Sequence, residues 1–186
     1  MKADLSWIIT RINGKIASVS LDYHAVSRLM ARIADLPADA VGDISCTRAG
    51  TEELFRLSDS LGWEDLFLLG TPFQKSVWKQ LFDLTHSPEG PLPARLCSYS
   101  DFAESMGKGP GVRAVAHAVG LNPVPVIIPC HLVIPKESID RLHELENENG
   151  LFKWKALYIV DQRIHYGDYA LGAALKRELI QIHMTR

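Results

Sequence analysis

The run Asn122-Pro123-Val124-Pro125-Val126-Ile127-Ile128-Pro129-Cys130-His131 constrains this 186-residue chain more than any other stretch. Pro125 and Pro129 fix their backbone φ and donate no N–H, so the run is neither a helix nor an ordinary central strand. Val126, Ile127 and Ile128 are β-branched and apolar, which suits a short buried extended segment. Such a segment holds the Cys130 thiol at the floor of a pocket. The thiolate is the nucleophile, and a free thiol with a pKa of roughly 8.5 is mostly protonated near neutral pH. The next residue, His131, carries the side chain best suited to accept that proton at physiological pH. A Cys-His pair alone is more often a structural cysteine beside an incidental histidine. The proline frame and the motifs around it turn the reading towards chemistry.

Composition excludes several classes. The chain is 47% hydrophobic and 23% charged, ordinary for a globular protein of one or two domains with a real core. Its uncharged apolar runs fall short of the ~18 residues that a membrane helix needs. The amino terminus lacks the basic-then-apolar pattern of an export signal. A cytoplasmic protein with no membrane partner is therefore expected. Cys46, Cys97 and Cys130 make no disulfide framework, and without CxxC spacing or a His/Cys cluster no metal site is expected. Formal charge is −2, with 7 basic against 10 acidic side chains in residues 1–70 and 13 against 12 in the remainder. That balance is too even to argue nucleic-acid binding by itself.

Periodicity and turn chemistry organise the rest. Residues 7–23 predict a β-hairpin around Asn13-Gly14, the strongest short hairpin signal. Val26, Leu29, Met30, Ile33 and Leu36 predict a helix over 25–36, followed by a loop rich in Ala, Asp and Gly and a short helix near 51–61. Leu66-Phe67-Leu68-Leu69 reads as a closing strand or linker, which sets an α/β domain over 1–69. A second domain then runs over 70–186. Thr71, Pro72 and Gln74 form a capping-box start, and Phe73, Val77, Trp78, Leu81 and Leu84 form the apolar face of the helix that follows. After a proline-rich loop over 88–95, Ser100–Met106 and Val112–Val119 predict two short helices around Gly109-Pro110-Gly111, the outline of a helix-turn-helix. The second of these is nearly all small side chains with Arg113 at its start. Residues 136–165 intersperse Glu137, Asp140, Glu144, Glu146 and Glu148 with Ile139, Leu142 and Leu145, then Leu151, Trp154 and Tyr158, and read as one or two surface helices. Leu171, Leu175, Leu179 and Ile182 mark one face of a final helix over 170–183.

The order of motifs resembles a known family. Thr71-Pro72-Phe73-Gln74 with Val77-Trp78, then Ser98-Tyr99, Arg113-Ala114-Val115, Asn122-Pro123-x-Pro125 and Pro129-Cys130-His131 resemble the O6-alkylguanine-DNA alkyltransferases, the methylated-DNA–protein-cysteine methyltransferases. The likeness resumes at Gly167-x-Tyr169-x-x-Gly172-x-x-x-Lys176. It implies an α/β (α+β) protein with a small ribonuclease-H-like amino-terminal domain. The carboxy-terminal domain would be mostly helical and winged-helix-like. It implies DNA repair by direct, single-turnover transfer of an alkyl group from guanine O6 to Cys130, by a monomer acting on double-stranded DNA without a cofactor. His131 would be the base, acting through water, and Tyr99 would protonate guanine N3. Arg113 would fill the gap left by the extruded nucleotide, with Ala114, Ser100 and Asn122 in the DNA-binding surface or its supporting turn. Pro129, Val133, Tyr169 and Ala170 would line the guanine pocket.

Three departures stand against that pattern. Leu132 occupies the position where the family has arginine. His183 stands where the family has the glutamate that orients the catalytic histidine, in the manner of a triad acid; Glu178 is a substitute on another helix face. Residues 136–165 read as an insertion whose acidic character would repel phosphates. Two other functions remain compatible with the scaffold: non-catalytic binding of alkylated DNA, and thiol chemistry on another substrate.

Overall fold

Asn13 and Gly14 lie at φ 53° and 77°, the left-handed conformations that a two-residue type I′ turn requires. They join strand β1 (Trp7–Ile12) to the antiparallel β2 (Lys15–Ser20). The computed structural model describes residues 5–86, 96–149, 164–167 and 169–186. The proline-rich loop over 88–95 and the stretch carrying Leu151, Trp154 and Tyr158 lie outside those residues. The chain forms two compact units, Met1–Phe82 with Asn122–Ile128, and Asp83–Leu121 with Pro129–Arg186.

In the first unit, β3 (Ile44–Ala49) pairs antiparallel with the free edge of β1, giving the order β2-β1-β3. The sequence predicts a loop here. Ser45, Cys46, Thr47 and Arg48 are exposed on an edge strand, so no apolar alternation announces it. Asp22 caps α1 (Tyr23–Ile33) by accepting from Ala25 N at 2.9 Å. Leu29 and Ile33 of α1 are buried with Ile12 and Ala17 of the sheet. Helix α2 (Thr51–Asp59) buries Leu54 and Phe55, and Trp7 donates to Thr51 Oγ1 at 3.0 Å. The segment at 66–69 makes a single parallel bridge, Ile16 with Leu66, rather than a strand.

Helix α3 (Pro72–His86) begins with the expected reciprocal cap: Gln74 N donates to Thr71 Oγ1 at 3.2 Å and Thr71 N to Gln74 Oε1 at 2.9 Å. Gly70 just before it has to be glycine, because a Cβ would sit 2.6 Å from the Trp78 ring. The loop Asn122–Ile128 returns to this unit, with Val19 N donating to Pro123 O at 2.9 Å. It is a coiled turn, where the sequence predicts an extended segment. Asn122 Nδ2 donates to Ile128 O at 2.8 Å, and its Oδ1 accepts from Val124 N at 3.0 Å. Together with Ile128 N to Val124 O at 3.0 Å, these bonds close the loop on itself and force Val126 to φ 75°. A β-branched residue there is strained by about 1–3 kcal/mol.

In the second unit, β4 (Cys97–Ser98) pairs parallel with β5 (Val133–Ile134). Ser98 caps α4 (Tyr99–Ser105), accepting from Asp101 N at 3.0 Å. Gly107 at φ 66° ends the helix, and a 3₁₀ turn at Gly109–Gly111 leads into α5 (Val112–Gly120). The two-helix outline read from the sequence is present. Helix α6 (Lys136–Asn149) differs from its reading as a surface element. Its Ile139, Leu142 and Leu145 are buried in one cluster with Leu96, Leu132, Ile134, Ile164, Tyr166 and Ile180. The apolar residues visible among its charges are thus a buried face, with the charges on the other. The last helix, α7 (Ala173–Thr185), buries Lys176, Leu179 and Ile180; of the predicted face Leu179 is buried, while Leu171, Leu175 and Ile182 are half-buried. No described helix is long and apolar enough to cross a membrane.

If α6 is part of the core, Leu142→Ala should lower unfolding stability in urea by about 2–5 kcal/mol. Glu137→Ala, on the exposed face, should change it by less than about 0.5 kcal/mol. Equal, small effects would make α6 an appendage.

Candidate active site

The parallel pairing of β4 with β5 brings the start of α4 beside the segment that follows Cys130. A tight 3₁₀ turn, Cys130–Leu132, is closed by Leu132 N donating to Pro129 O at 2.9 Å. It buries all three side chains: Cys130 is 4% exposed, and His131 and Leu132 are 0%. Leu132 points into the α6 cluster, so an apolar residue is what this position requires. Helix α7 packs on this turn.

The chain returns to the thiol through Gly167 and Tyr169. Gly167 sits at φ 79°, and a Cβ there would meet the Pro135 ring at 3.4 Å and the Tyr99 ring at 3.8 Å. The Tyr169 hydroxyl lies 3.6 Å from Cys130 Sγ. Gly172 at φ 92° then opens α7. That helix sends Lys176 inward, fully buried, with Nζ donating to Val133 O at 2.6 Å and to the Tyr99 hydroxyl at 3.5 Å. The same ammonium lies 5.6 Å from the Tyr99 ring centroid and 5.5 Å from that of Tyr169, within cation–π range. One helical turn on from the buried Leu179 and Ile180, His183 Nδ1 lies 3.4 Å from His131 Nε2.

Burial sets the charge states. It pushes Lys176 down to about 8, with Cys130 and Cys97 pulling the other way. An unfolded lysine still holds its proton between that value and roughly 10.4. The folded chain therefore gains stability as pH rises through this window, and Lys176 opposes folding below it. Burial first, then His183 and Lys176, holds His131 well below the usual imidazole range. His131 is thus neutral in the fold, and stability declines as acid protonates the unfolded imidazole. Burial and the neighbouring Cys130 push the Tyr169 phenol up, so it is a donor rather than a phenolate. Cys97 is pushed up to about 12 by burial and Asp101, which leaves it an inert thiol.

Of the residues singled out in the sequence, Cys130, His131, His183, Tyr99, Tyr169 and Val133 meet at this centre. Pro129 is buried at its entrance in the chain, and Ala170 is exposed next to Tyr169. Arg113 and Ala114 are exposed on α5. Ser100 lies 2.8 Å from the capping hydroxyl of Ser98, and the Asn122 amide is engaged within its own loop. Lys176 is the buried side chain at this centre that the sequence reading left without a role. Its signal was a lysine at 176 on the apolar stripe 176-179-180-183, where an unpaired surface charge would not sit. Among the described residues no group of three or more His, Cys, Asp or Glu side chains is placed to hold a metal ion.

Residues 72–140 match the family described as 6-O-methylguanine DNA methyltransferase, DNA binding domain. A "probable methylated-DNA–protein-cysteine methyltransferase" of Acanthamoeba polyphaga mimivirus is 33% identical over 128 residues, 68% of this chain and 81% of that relative. The inducible methylated-DNA–protein-cysteine methyltransferase of Bacillus subtilis is 37% identical over 90 residues, 48% of this chain and 44% of the relative. Among solved structures, the O6-methylguanine-DNA methyltransferase of Pyrococcus kodakaraensis KOD1 superposes with a TM-score of 0.55 at 19% identity, covering 98% of this chain and 94% of that one. Mycobacterium tuberculosis OGT in complex with DNA gives 0.50 at 21% identity, over 95% and 85%. At those identities the structural likeness is one of fold, a mixed α/β chain. The sequence match to the mimivirus protein goes further, and by it this chain belongs to the methylated-DNA–protein-cysteine methyltransferase family.

Proposed function

We propose that this protein repairs DNA by moving one alkyl group from guanine O6 to Cys130, once per protein molecule. The observation that carries the reading is a buried thiol 3.6 Å from a neutral phenol, followed in the chain by a histidine that faces a second one at 3.4 Å, in the same compact unit as the two-helix element α4–α5. A carbon on guanine O6 lies inside the base stack, so the thiol reaches it only after the nucleotide is flipped out, at a few kcal/mol. Arg113, exposed at the start of α5, is long enough to fill the vacancy and offset that cost. The small side chains around it suit a minor groove only about 6 Å wide.

In the pocket, Pro129, Tyr169 and the backbone at Val133 and Ala170 surround the base. Val133 O already accepts from Lys176, and its second lone pair remains for a guanine amine. Cys130 attacks the alkyl carbon in line, the O6–carbon bond breaks, and Tyr99 gives the departing base a proton at N3. His131, backed by His183, receives the thiol proton through water. Ser100 meets phosphate near the start of α4, while Asn122 braces the loop before the cysteine. We read the first unit as ribonuclease-H-like and the second as winged-helix-like, in a cytoplasmic monomer that needs no cofactor.

The test is the mass of the intact protein after incubation with duplex DNA containing O6-methylguanine. One added methyl group, mapped to the peptide carrying Cys130, is expected; affinity without a mass change would mean a non-catalytic binder. Cys130→Ser should retain lesion affinity and accept no methyl, because an alcohol is far less acidic than a thiol of the same shape.

Arg113→Ala should slow repair of duplex substrate by about tenfold, the equivalent of ~1.4 kcal/mol. Its reaction with free O6-benzylguanine, which requires no flipping, should be nearly unchanged. Equal losses on both substrates would make Arg113 a structural residue.

A further inference from the structure

We propose that Lys176 supplies the positive charge that keeps Cys130 in its nucleophilic form, in place of a carboxylate-backed imidazolium; the proposal rests on Cys130 being the alkyl acceptor. In a Cys-His-acid relay the acid stabilises the imidazolium, and the imidazolium stabilises the thiolate. Here the third member is His183, whose imidazole faces His131 at 3.4 Å and has no negative charge to offer. A proton taken up by the pair leaves one positive charge on a buried imidazole, a form that burial disfavours. The pair is suited to pass a proton and poorly suited to store a cation.

The cation is already present on α7. Lys176 Nζ is anchored by Val133 O at 2.6 Å and by the Tyr99 hydroxyl at 3.5 Å. It lies over the ring of Tyr169, whose hydroxyl is 3.6 Å from Cys130 Sγ. Among the described residues, the titratable groups around it are Cys130 and His131 on the 3₁₀ turn, Cys97 on β4, Tyr99 on α4 and Tyr169 on the preceding loop, with His183 of its own helix reached through His131. Asp101 of α4 acts on Cys97, and with burial drives that thiol up to about 12. One positive charge therefore serves one thiolate, that of Cys130. Low local dielectric strengthens the pairing.

The proton balance closes. The Cys130 thiol loses its proton through the histidine pair to solvent, leaving a thiolate linked to the ammonium through the Tyr169 side chain that both approach. The thiolate forms the new sulfur–carbon bond as the O6–carbon bond breaks. Tyr99 gives its hydroxyl proton to the guanine anion and is reprotonated by Lys176, which recovers a proton from solvent. The charge that stabilised the nucleophile also restores the acid.

The test needs no DNA, so its failure is separable from failure of the proposed function. In a Cys46→Ser background, alkylation of Cys130 by iodoacetamide is followed across pH by peptide mass. Lys176→Met should raise the midpoint by about one pH unit and slow alkylation near neutral pH by roughly tenfold. Lys176→Arg should recover much of the shift, and His183→Gln should move the midpoint less than Lys176→Met does. An unmoved midpoint in Lys176→Met, or a larger shift in His183→Gln, would overturn the proposal. Should Lys176→Met fail to fold, the wild-type protein decides. An anionic reagent, iodoacetate, should be favoured over iodoacetamide at Cys130 relative to exposed Cys46, and the preference should fade as pH rises past about 8. Equal preference at the two cysteines would refute the assignment.

Discussion

A lysine ammonium with no exposed surface must find its acceptors inside the protein, or lose its proton. Lys176 finds a carbonyl, a hydroxyl and two aromatic faces, drawn from three different parts of the second unit. Val133 comes from β5, Tyr99 from α4 and Tyr169 from the loop before α7. The ammonium is thus the point at which the turn holding Cys130, the first helix of the two-helix element and the final helix are tied together. Because its burial opposes folding below about pH 8, this tie is retained at a cost in stability. Sites where a fold stores such a cost are where function is to be sought.

Two features that separate this chain from its family's pattern have one physical explanation. Leu132 stands where an arginine is usual, and α6 occupies a segment read as an acidic insertion. Leu132 is fully buried against Ile139, Leu142 and Leu145 of α6. An arginine there would have to bury its charge, and α6 without Leu132 would lose part of its apolar partner. Ser138, near the start of α6, also exchanges hydrogen bonds with the backbone of His165 at 2.6 and 2.9 Å. The helix is thereby stitched to the segment that leads to Gly167 and Tyr169.

Where local chemistry dictates structure, the sequence was readable. Asn13-Gly14 specified its hairpin, Thr71 with Gln74 specified a capping box, and Gly107 with Gly109-Pro110-Gly111 specified the break between α4 and α5. The Cys130–His131 pair and its proline frame also pointed to the site. What escaped depended on partners distant in sequence. The edge strand β3 has polar, exposed residues and exists only because β1 offers it a ladder. Helix α6 looked solvated because its charges outnumber its apolar stripe. The loop before Cys130 coils because Asn122 reaches Ile128, a contact that the apolar run does not reveal. Lys176 is quoted in the terminal pattern but gains no role there, because a lysine in a terminal helix is ordinarily a surface residue; only Leu179 and Ile180 one turn on and His183 two turns on mark its face as buried.

The most direct measurement is the titration of the Lys176 side chain itself, by heteronuclear NMR of lysine-labelled protein with the resonance assigned from a Lys176→Arg variant. The account predicts that its ammonium loses its proton near pH 8, well below the exposed lysines. It also predicts a further drop once Cys130 carries an alkyl group and can no longer present a thiolate to it. A Lys176 that titrates with the surface lysines near pH ~10.4, indifferent to the state of Cys130, would contradict the account at its centre.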